Sequence, residues 1–293
     1  MTTLLLRMLG RLVCAMSLSA ARRLGERLGL LWFHVVRVRR GTVVRQLRAA
    51  FPEWTARQVR EAARRLYRNL GRWAVEFLRF VGPDEARAGL LEQVSTEGVE
   101  AFDQRVASGG GAIVVTAHLG NWDLAACAQA LAGRRLTLLS RSLSDRRLDR
   151  FWMARRRALG LDIIAEDTRL EELAAVVRRG GTLVLLVDQA TPPDRGGVPV
   201  DFLGRPAWTT RLPALLSLRT GVPIFPVFVE SSSDGRTVVH VESPLEPLES
   251  SASIGERALA MTRAINERLE HRVRLHPEQW LWLHRRWKDP AST

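Results

Sequence analysis

Gly109-Gly-Gly-Ala-Ile-Val-Val-Thr-Ala-His118-Leu-Gly-Asn-Trp-Asp123 is the stretch on which the reading of this chain turns. A glycine run leads into residues 112–117, apolar or β-branched throughout and without alternation, the pattern of a strand buried on both faces. Gly120 permits a tight turn and Asn121 suits an N-cap, so a helix is expected over 121–132 with Asp123 in its first turn. Working outward, the runs 136–140, 182–187, 223–229 and 237–241 also read as strands. Residues 144–160, 169–179 and 208–220 read as helices between them, and 252–272 as a last helix before a tryptophan-rich end. Buried strands alternating with helices predict an α/β fold, a mainly parallel central sheet flanked by helices.

Upstream the texture is helical. Residues 41–51 and 55–80 carry helix signals, with Thr55 and Gln58 as a capping box. Arginines at 57, 60, 64, 65, 68 and 72 mark one face of the second, and Val59, Ala62, Leu66, Leu70, Trp73 and Phe77 the other. Gly82-Pro83 ends it. Residues 1–40 read as an amphipathic, membrane-associating helical extension and 41–293 as one α/β domain. The longest uncharged run near the start, Leu12–Ala21, is ten residues, too short to cross a hydrocarbon core of about 30 Å. Leu5, Met8, Leu9, Leu12, Val13 and Met16 recur at helical spacing. Such a helix lies in a membrane interface or packs as an ordinary amphipathic helix. Ser19-Ala20-Ala21 offers a weak signal-peptide cleavage site, opposed by the arginines inside the apolar part.

Charge sharpens this division. The 293 residues hold 44 Lys+Arg and 31 Asp+Glu, a net charge of +13, and all of the excess lies in residues 1–80, with 17 arginines against four glutamates. A nucleic-acid-binding protein would use such charge, but these arginines alternate with an apolar stripe and no recognition motif accompanies them. Anionic membrane is the partner this pattern favours. Arg64, Arg65 and Arg68 are the expected place where basic charge meets an acidic protein partner. Two distant cysteines, Cys14 and Cys127, exclude a disulfide framework, and 46% apolar content excludes a disordered chain.

The chemistry centres on His118, at a strand's carboxyl end, where open α/β sheets place ligands. A carboxylate sharing a hydrogen bond with one ring nitrogen leaves the other as a general base, and Asp123, one turn on, is the nearest in sequence. Spacing alone leaves a structural histidine equally open.

His118-x-x-x-x-Asp123 after a buried strand resembles the signature of the glycerolipid acyltransferase superfamily. Further segments narrow the match: Ala50-Phe-Pro-Glu53, Asn69-Leu-Gly71, Arg141 after the second strand, Asp188-Gln189, and Phe202-Leu-Gly-Arg-Pro206. Thr220-Gly-Val-Pro-Ile-Phe-Pro-Val227 and Pro277-Glu-Gln-Trp-Leu-Trp-Leu-His-Arg-Arg-Trp287 complete the series. Together, over about residues 40–288, the chain resembles the bacterial lipid A biosynthesis (late lauroyl/myristoyl) acyltransferases.

That resemblance implies transfer of a fatty acyl group from acyl carrier protein to a hydroxyl of a lipid A precursor or related lipid. His118 is then the general base and Asp123 the group orienting its ring. Gly120 and Asn121 sit beside it as substrate-binding positions, with Arg141 and Arg205 as anion binders and Asp188 and Gln189 facing the acceptor. No cofactor and no metal are implied, because the acyl thioester supplies the driving force. The implied partners are acyl carrier protein, anionic membrane lipid and the lipid acceptor, with no nucleic acid. The implied location is the cytoplasmic face of the inner membrane, peripheral or by a single N-terminal anchor. Arginines interrupt the hydrophobic N-terminal segment usual in the family. A lysophospholipid, glycerolipid or aminolipid acyltransferase is the alternative; Asp188-Gln-Ala-Thr191 stands where the lysophospholipid branch carries Phe-Pro-Glu-Gly-Thr-Arg.

Overall fold

A computed structural model describes residues 2–141, 145–232 and 234–287. Three helices come first, α1 (Thr2–Ala15), α2 (Leu18–Leu31) and α3 (Arg40–Ala50), with a π-helical turn over Trp32–Val36. The long α4 (Ala56–Phe80) and short α5 (Asp84–Leu91) follow. The α/β part runs β1 (Val94–Glu97), α6 (Glu100–Ala107), β2 (Ala112–Thr116), α7 (Trp122–Leu131) and β3 (Leu136–Ser140). It continues through α8 (Arg146–Ala158), β4 (Asp162–Ala165), α9 (Leu170–Arg178), β5 (Thr182–Leu186), β6 (Gly197–Phe202) and β7 (Arg205–Thr210). The chain ends on α10 (Leu212–Thr220), β8 (Ile224–Ser231), β9 (Thr237–Val241), α11 (Ile254–Leu275) and a 3₁₀ turn over Pro277–Gln279.

Seven strands form one sheet in the order β1-β9-β8-β2-β5-β3-β4, parallel except for the β8–β9 pair. Every residue of β2 is buried, as the unbroken apolar run requires of a central strand covered on both faces. Alternate side chains divide between two cores. Val114, Leu136, Leu138 and Val184 pack with Leu124 and Phe77 on the side of α4 and α7. Ile113, Val115, Leu183 and Leu185 meet Leu173, Ala214 and Met261 on the side of α9, α10 and α11.

The predicted capping box at Thr55 is present, the Gln58 amide N–H bonding the Thr55 hydroxyl and Gln58 Oε1 accepting from the Thr55 amide. The five strands read from sequence exist, and four were missed. β1 and β4 have only four residues each, half-exposed or exposed at the sheet edges, and lack a long apolar run. β6 and β7 form a separate antiparallel ribbon, so the helix expected over 208–220 begins only at Leu212, with Pro213 in its first turn.

At the N-terminus the apolar run is cut at Ser17, which caps α2 by accepting the Ala20 amide. Among the described residues no helix is long and apolar enough to cross a membrane. α2 packs on α4 nearly backbone to backbone: a methyl group on Gly29 would lie 2.0 Å from the Tyr67 carbonyl oxygen. Part of the basic charge turns inward here. Arg22 pairs with the buried Glu76 at 2.6 Å, and Arg79 caps the end of α1 through the Val13 and Met16 carbonyls.

Candidate active site

β2 delivers the site by running out at Thr116, which leaves Ala117 and His118 to turn toward α7. The turn is tight. Gly120 has φ +60, and a side chain there would strike the Val229 carbonyl oxygen at 2.4 Å. Asn121 caps α7, its Oδ1 accepting the Leu124 amide at 3.4 Å. Its amide nitrogen donates to Glu76 at 2.9 Å, so α4 holds the start of α7 in place.

The sheet register then sets the partner of His118. Thr116 of β2 lies opposite Leu186 of β5, and two residues further along each strand stand His118 and Asp188. The His118 ring shares a 2.9 Å hydrogen bond between Nδ1 and Asp188 Oδ1, while its backbone amide donates to Oδ2 at 3.0 Å. Trp280 Nε1 donates to the same Oδ2 at 2.9 Å. Burial pushes the Asp188 carboxyl up, but the facing His118 charge, both His118 hydrogen bonds and the Trp280 bond outweigh it and hold it down at about 2. In the neutral imidazole, an ionised Asp188 fixes the proton on Nδ1 and leaves Nε2 with its lone pair. The ring edge also meets Trp122, with centroids 4.9 Å apart.

His118 lines a cavity of about 850 Å³, within the size range of small-molecule sites. Its polar wall includes Arg141, Trp152, Arg156 and Gln189. Much of the remaining wall is hydrocarbon, including Phe102, Val114, Ala125, Leu138, Val229 and Val239. The site therefore combines a positioned imidazole with a largely apolar pocket. Among the described residues no group of three His, Cys, Asp or Glu side chains could hold a metal ion.

The profile of the family described as "Bacterial lipid A biosynthesis acyltransferase" matches residues 1–289. The chain belongs to this family. It is also similar to a phosphatidylinositol mannoside acyltransferase of Mycolicibacterium smegmatis, 26% identical over 216 residues, or 72% of this chain and 67% of the relative. A phosphatidylinositol mannoside acyltransferase of Mycobacterium tuberculosis is 27% identical over 199 residues, covering 67% of this chain and 60% of the relative's length. A lipid A biosynthesis acyltransferase of Haemophilus influenzae is 23% identical over 268 residues, 89% of this chain and 79% of the relative.

Within this family member the residues expected from sequence divide. Asp123 does not orient the histidine: its oxygens accept from Trp152 Nε1 at 3.0 Å and from the Arg156 guanidinium, and the described hydrogen bonds include none to His118. The reason is placement, since α7 carries Asp123 toward α8 while the β2–β5 register brings Asp188 to the ring. Asp188 is thus an orienting carboxylate and, being 2% exposed, is not a surface for the acceptor. Gly120 and Asn121 shape the turn and do not line the cavity, because Gly120 abuts β8 and Asn121 is buried as a cap.

Arg141 and Gln189 do line the cavity. Arg141 sits at its mouth, paired with Glu166 at 3.3 Å, and Glu166 also pairs with Arg195 at 3.2 Å. Arg205 lies elsewhere, exposed on the β6–β7 ribbon with its guanidinium over the Trp287 ring. Arg64 and Arg65 both pair with Glu61, whose single charge offsets one of their two.

Trp280, which the sequence places only in a tryptophan-rich end, is a residue either of the core or of the site. It is both, 1% exposed and bonded to Asp188. The available signal was chemical: a buried indole N–H needs an acceptor.

Proposed function

We propose that this chain moves a fatty acyl group from acyl carrier protein to a hydroxyl of a membrane glycolipid, at the cytoplasmic face of the inner membrane. The observation that carries the reading is an oriented imidazole, His118 on Asp188, at one end of a mainly hydrocarbon-lined cavity. His118 Nε2 takes the proton of the acceptor hydroxyl, whose oxygen attacks the thioester carbonyl. The new C–O bond forms, the C–S bond breaks, and the thiolate leaves with the proton that His118 returns. Asp188 stabilises the imidazolium in between. Arg141 and Arg195 at the mouth suit a phosphate of donor or acceptor. The acceptor follows the relatives, whose printed names concern lipid A and phosphatidylinositol mannoside, both glycolipids.

The N-terminal helices favour attachment by lying on the membrane. Seven of the twelve exposed large hydrophobic residues among the described residues fall between Met8 and Val38. Exposed arginines at 11, 23, 27, 37 and 39 are interleaved with them.

Mass spectrometry of membrane lipids from cells with and without the protein tests the reading. We expect one additional acyl group on a glycolipid with the wild type and none with His118→Ala. An unchanged lipid profile with the wild type, or full transfer by the variant, overturns it.

A further inference from the structure

We propose that a hydrogen-bonded polar bar, Thr96–Gln129–Arg134–Asp103, closes the cavity at the end away from His118 and sets the longest acyl chain it accepts. The inference rests on the reading of the cavity as the acyl site. On α7 the residues facing the channel begin with Trp122 beside His118 and continue as Ala125 and Ala126, whose short side chains leave the space open. Gln129, one turn further, is the first long side chain in that row. Gln129 lies seven helical steps beyond Trp122, a depth of roughly 10 Å.

Gln129 is held across the channel. Its Nε2 donates to Thr96 Oγ1 of β1 at 2.9 Å, and its Oε1 accepts from Arg134 at 2.9 Å. Arg134 in turn grips both carboxylate oxygens of Asp103 on α6, at 2.8 and 3.0 Å. Three elements of the fold thus anchor one polar chain, and two of its members, Gln129 and Arg134, line the cavity. The neighbouring wall, Val99, Phe102 and Val239, is apolar. A growing chain gains affinity with each methylene buried against that wall until its end reaches the bar. Beyond that point it must strip hydrogen bonds from an amide and a guanidinium while offering nothing in return. A polar floor therefore stops hydrocarbon more sharply than an apolar one.

The test is titration of saturated fatty acids from decanoate to eicosanoate into the full chain, by displacement of a fluorescent fatty acid. For the wild type we expect affinity to rise with length and then drop past one chain. Gln129→Ala should move that drop to chains about two carbons longer, and raise affinity for the first excluded acid roughly tenfold. Gln129→Asn keeps the amide but withdraws it, serves if the alanine variant does not fold, and should move the drop by a smaller step. A drop that stays in place in a folded Gln129 variant, or a wild type without one, overturns the length stop while leaving the acyl site standing. A wild type that binds no fatty acid of any length overturns the acyl site and the stop together.

Discussion

Trp280 donates its indole N–H to the Asp188 oxygen that also accepts the His118 backbone amide, so a residue far along the chain holds the carboxylate against the His118 ring. Trp280→Phe preserves an aromatic filling and leaves Asp188 one donor short, which moves its carboxyl upward from about 2. We expect kcat for acyl transfer to fall about tenfold with little change in KM. Asp188→Asn is more severe: its amide can donate to Nδ1 and trap the wrong tautomer, lowering kcat by roughly a thousandfold. A wild-type rate in the asparagine variant would remove Asp188 from the mechanism.

Asp123 makes a separate prediction because its bonds go to α8. Trp152 and Arg156 both donate to it, and Trp152 also stacks on Phe77 at 4.3 Å. Asp123→Ala strands a largely buried guanidinium, a loss on the order of 3 kcal/mol in unfolding free energy. Arg156→Met added to Asp123→Leu removes both charges, and we expect it to recover much of that loss. Denaturant melts of the single and double variants check this. Equal destabilisation by both would show that the pairing contributes nothing beyond packing.

These two carboxylates show what the sequence could and could not convey. The β2 run, His118 at its end, the glycine turn and the Asn121 cap were legible because each is local, a matter of neighbours along the chain. Asp188 was recognised as ending a strand near the cleft, but its pairing with His118 depends on β5 lying beside β2 in register. Nothing in residues 112–123 encodes that. Asp123, five residues from His118 and part of the motif that carries the family resemblance, is therefore the carboxylate the sequence offers, while α7 turns it toward α8. The polar bar was hidden for the same reason, since Thr96, Asp103, Gln129 and Arg134 come from separate elements. Short edge strands were lost because four residues carry too little periodicity to read.

A pH effect on stability is expected at the carboxyl end of β8. His276 Nε2 lies 3.1 Å from Glu230, which also meets His240 and Arg272. The Glu230 bond raises the His276 pKa above 6.5 against the opposing effect of burial. A raised folded pKa contributes stability that is full below 6.5 and is lost as pH climbs through the raised value. Melting temperature should therefore fall from mildly acidic to mildly alkaline buffer, and His276→Gln should flatten that slope. An identical slope in the variant would locate the effect elsewhere.

Membrane attachment through an interfacial face predicts sensitivity to charge at its apolar residues. Leu28, Leu31 and Val35 are exposed on α2 and the turn that follows it. Replacing all three with aspartate removes apolar contact and adds repulsion from anionic lipid. We expect flotation with phosphatidylglycerol vesicles to be lost while fatty-acid binding by the soluble variant persists. Retained flotation would move the contact to another surface.

If acyl carrier protein is the donor, as proposed, α8 is where it would dock. Its exposed arginines at 146, 147, 150, 155 and 157 form no ion pair among the described residues, whereas Arg64 and Arg65 share Glu61. The other side of the same helix, through Leu148, Trp152 and Met153, lines the cavity. An acidic carrier resting on α8 would hold its thioester at the mouth, and rim charges of this kind act mainly on encounter. Arg147→Glu with Arg150→Glu should raise KM for acyl carrier protein about tenfold at low salt and less at high salt. The same variant should use acyl-pantetheine, which lacks the acidic protein, at the wild-type rate, and reversal of Arg64 and Arg65 should leave both donors unaffected. An unchanged KM for the carrier after reversal on α8, or an equal rise for acyl-pantetheine, would exclude this helix as the landing site.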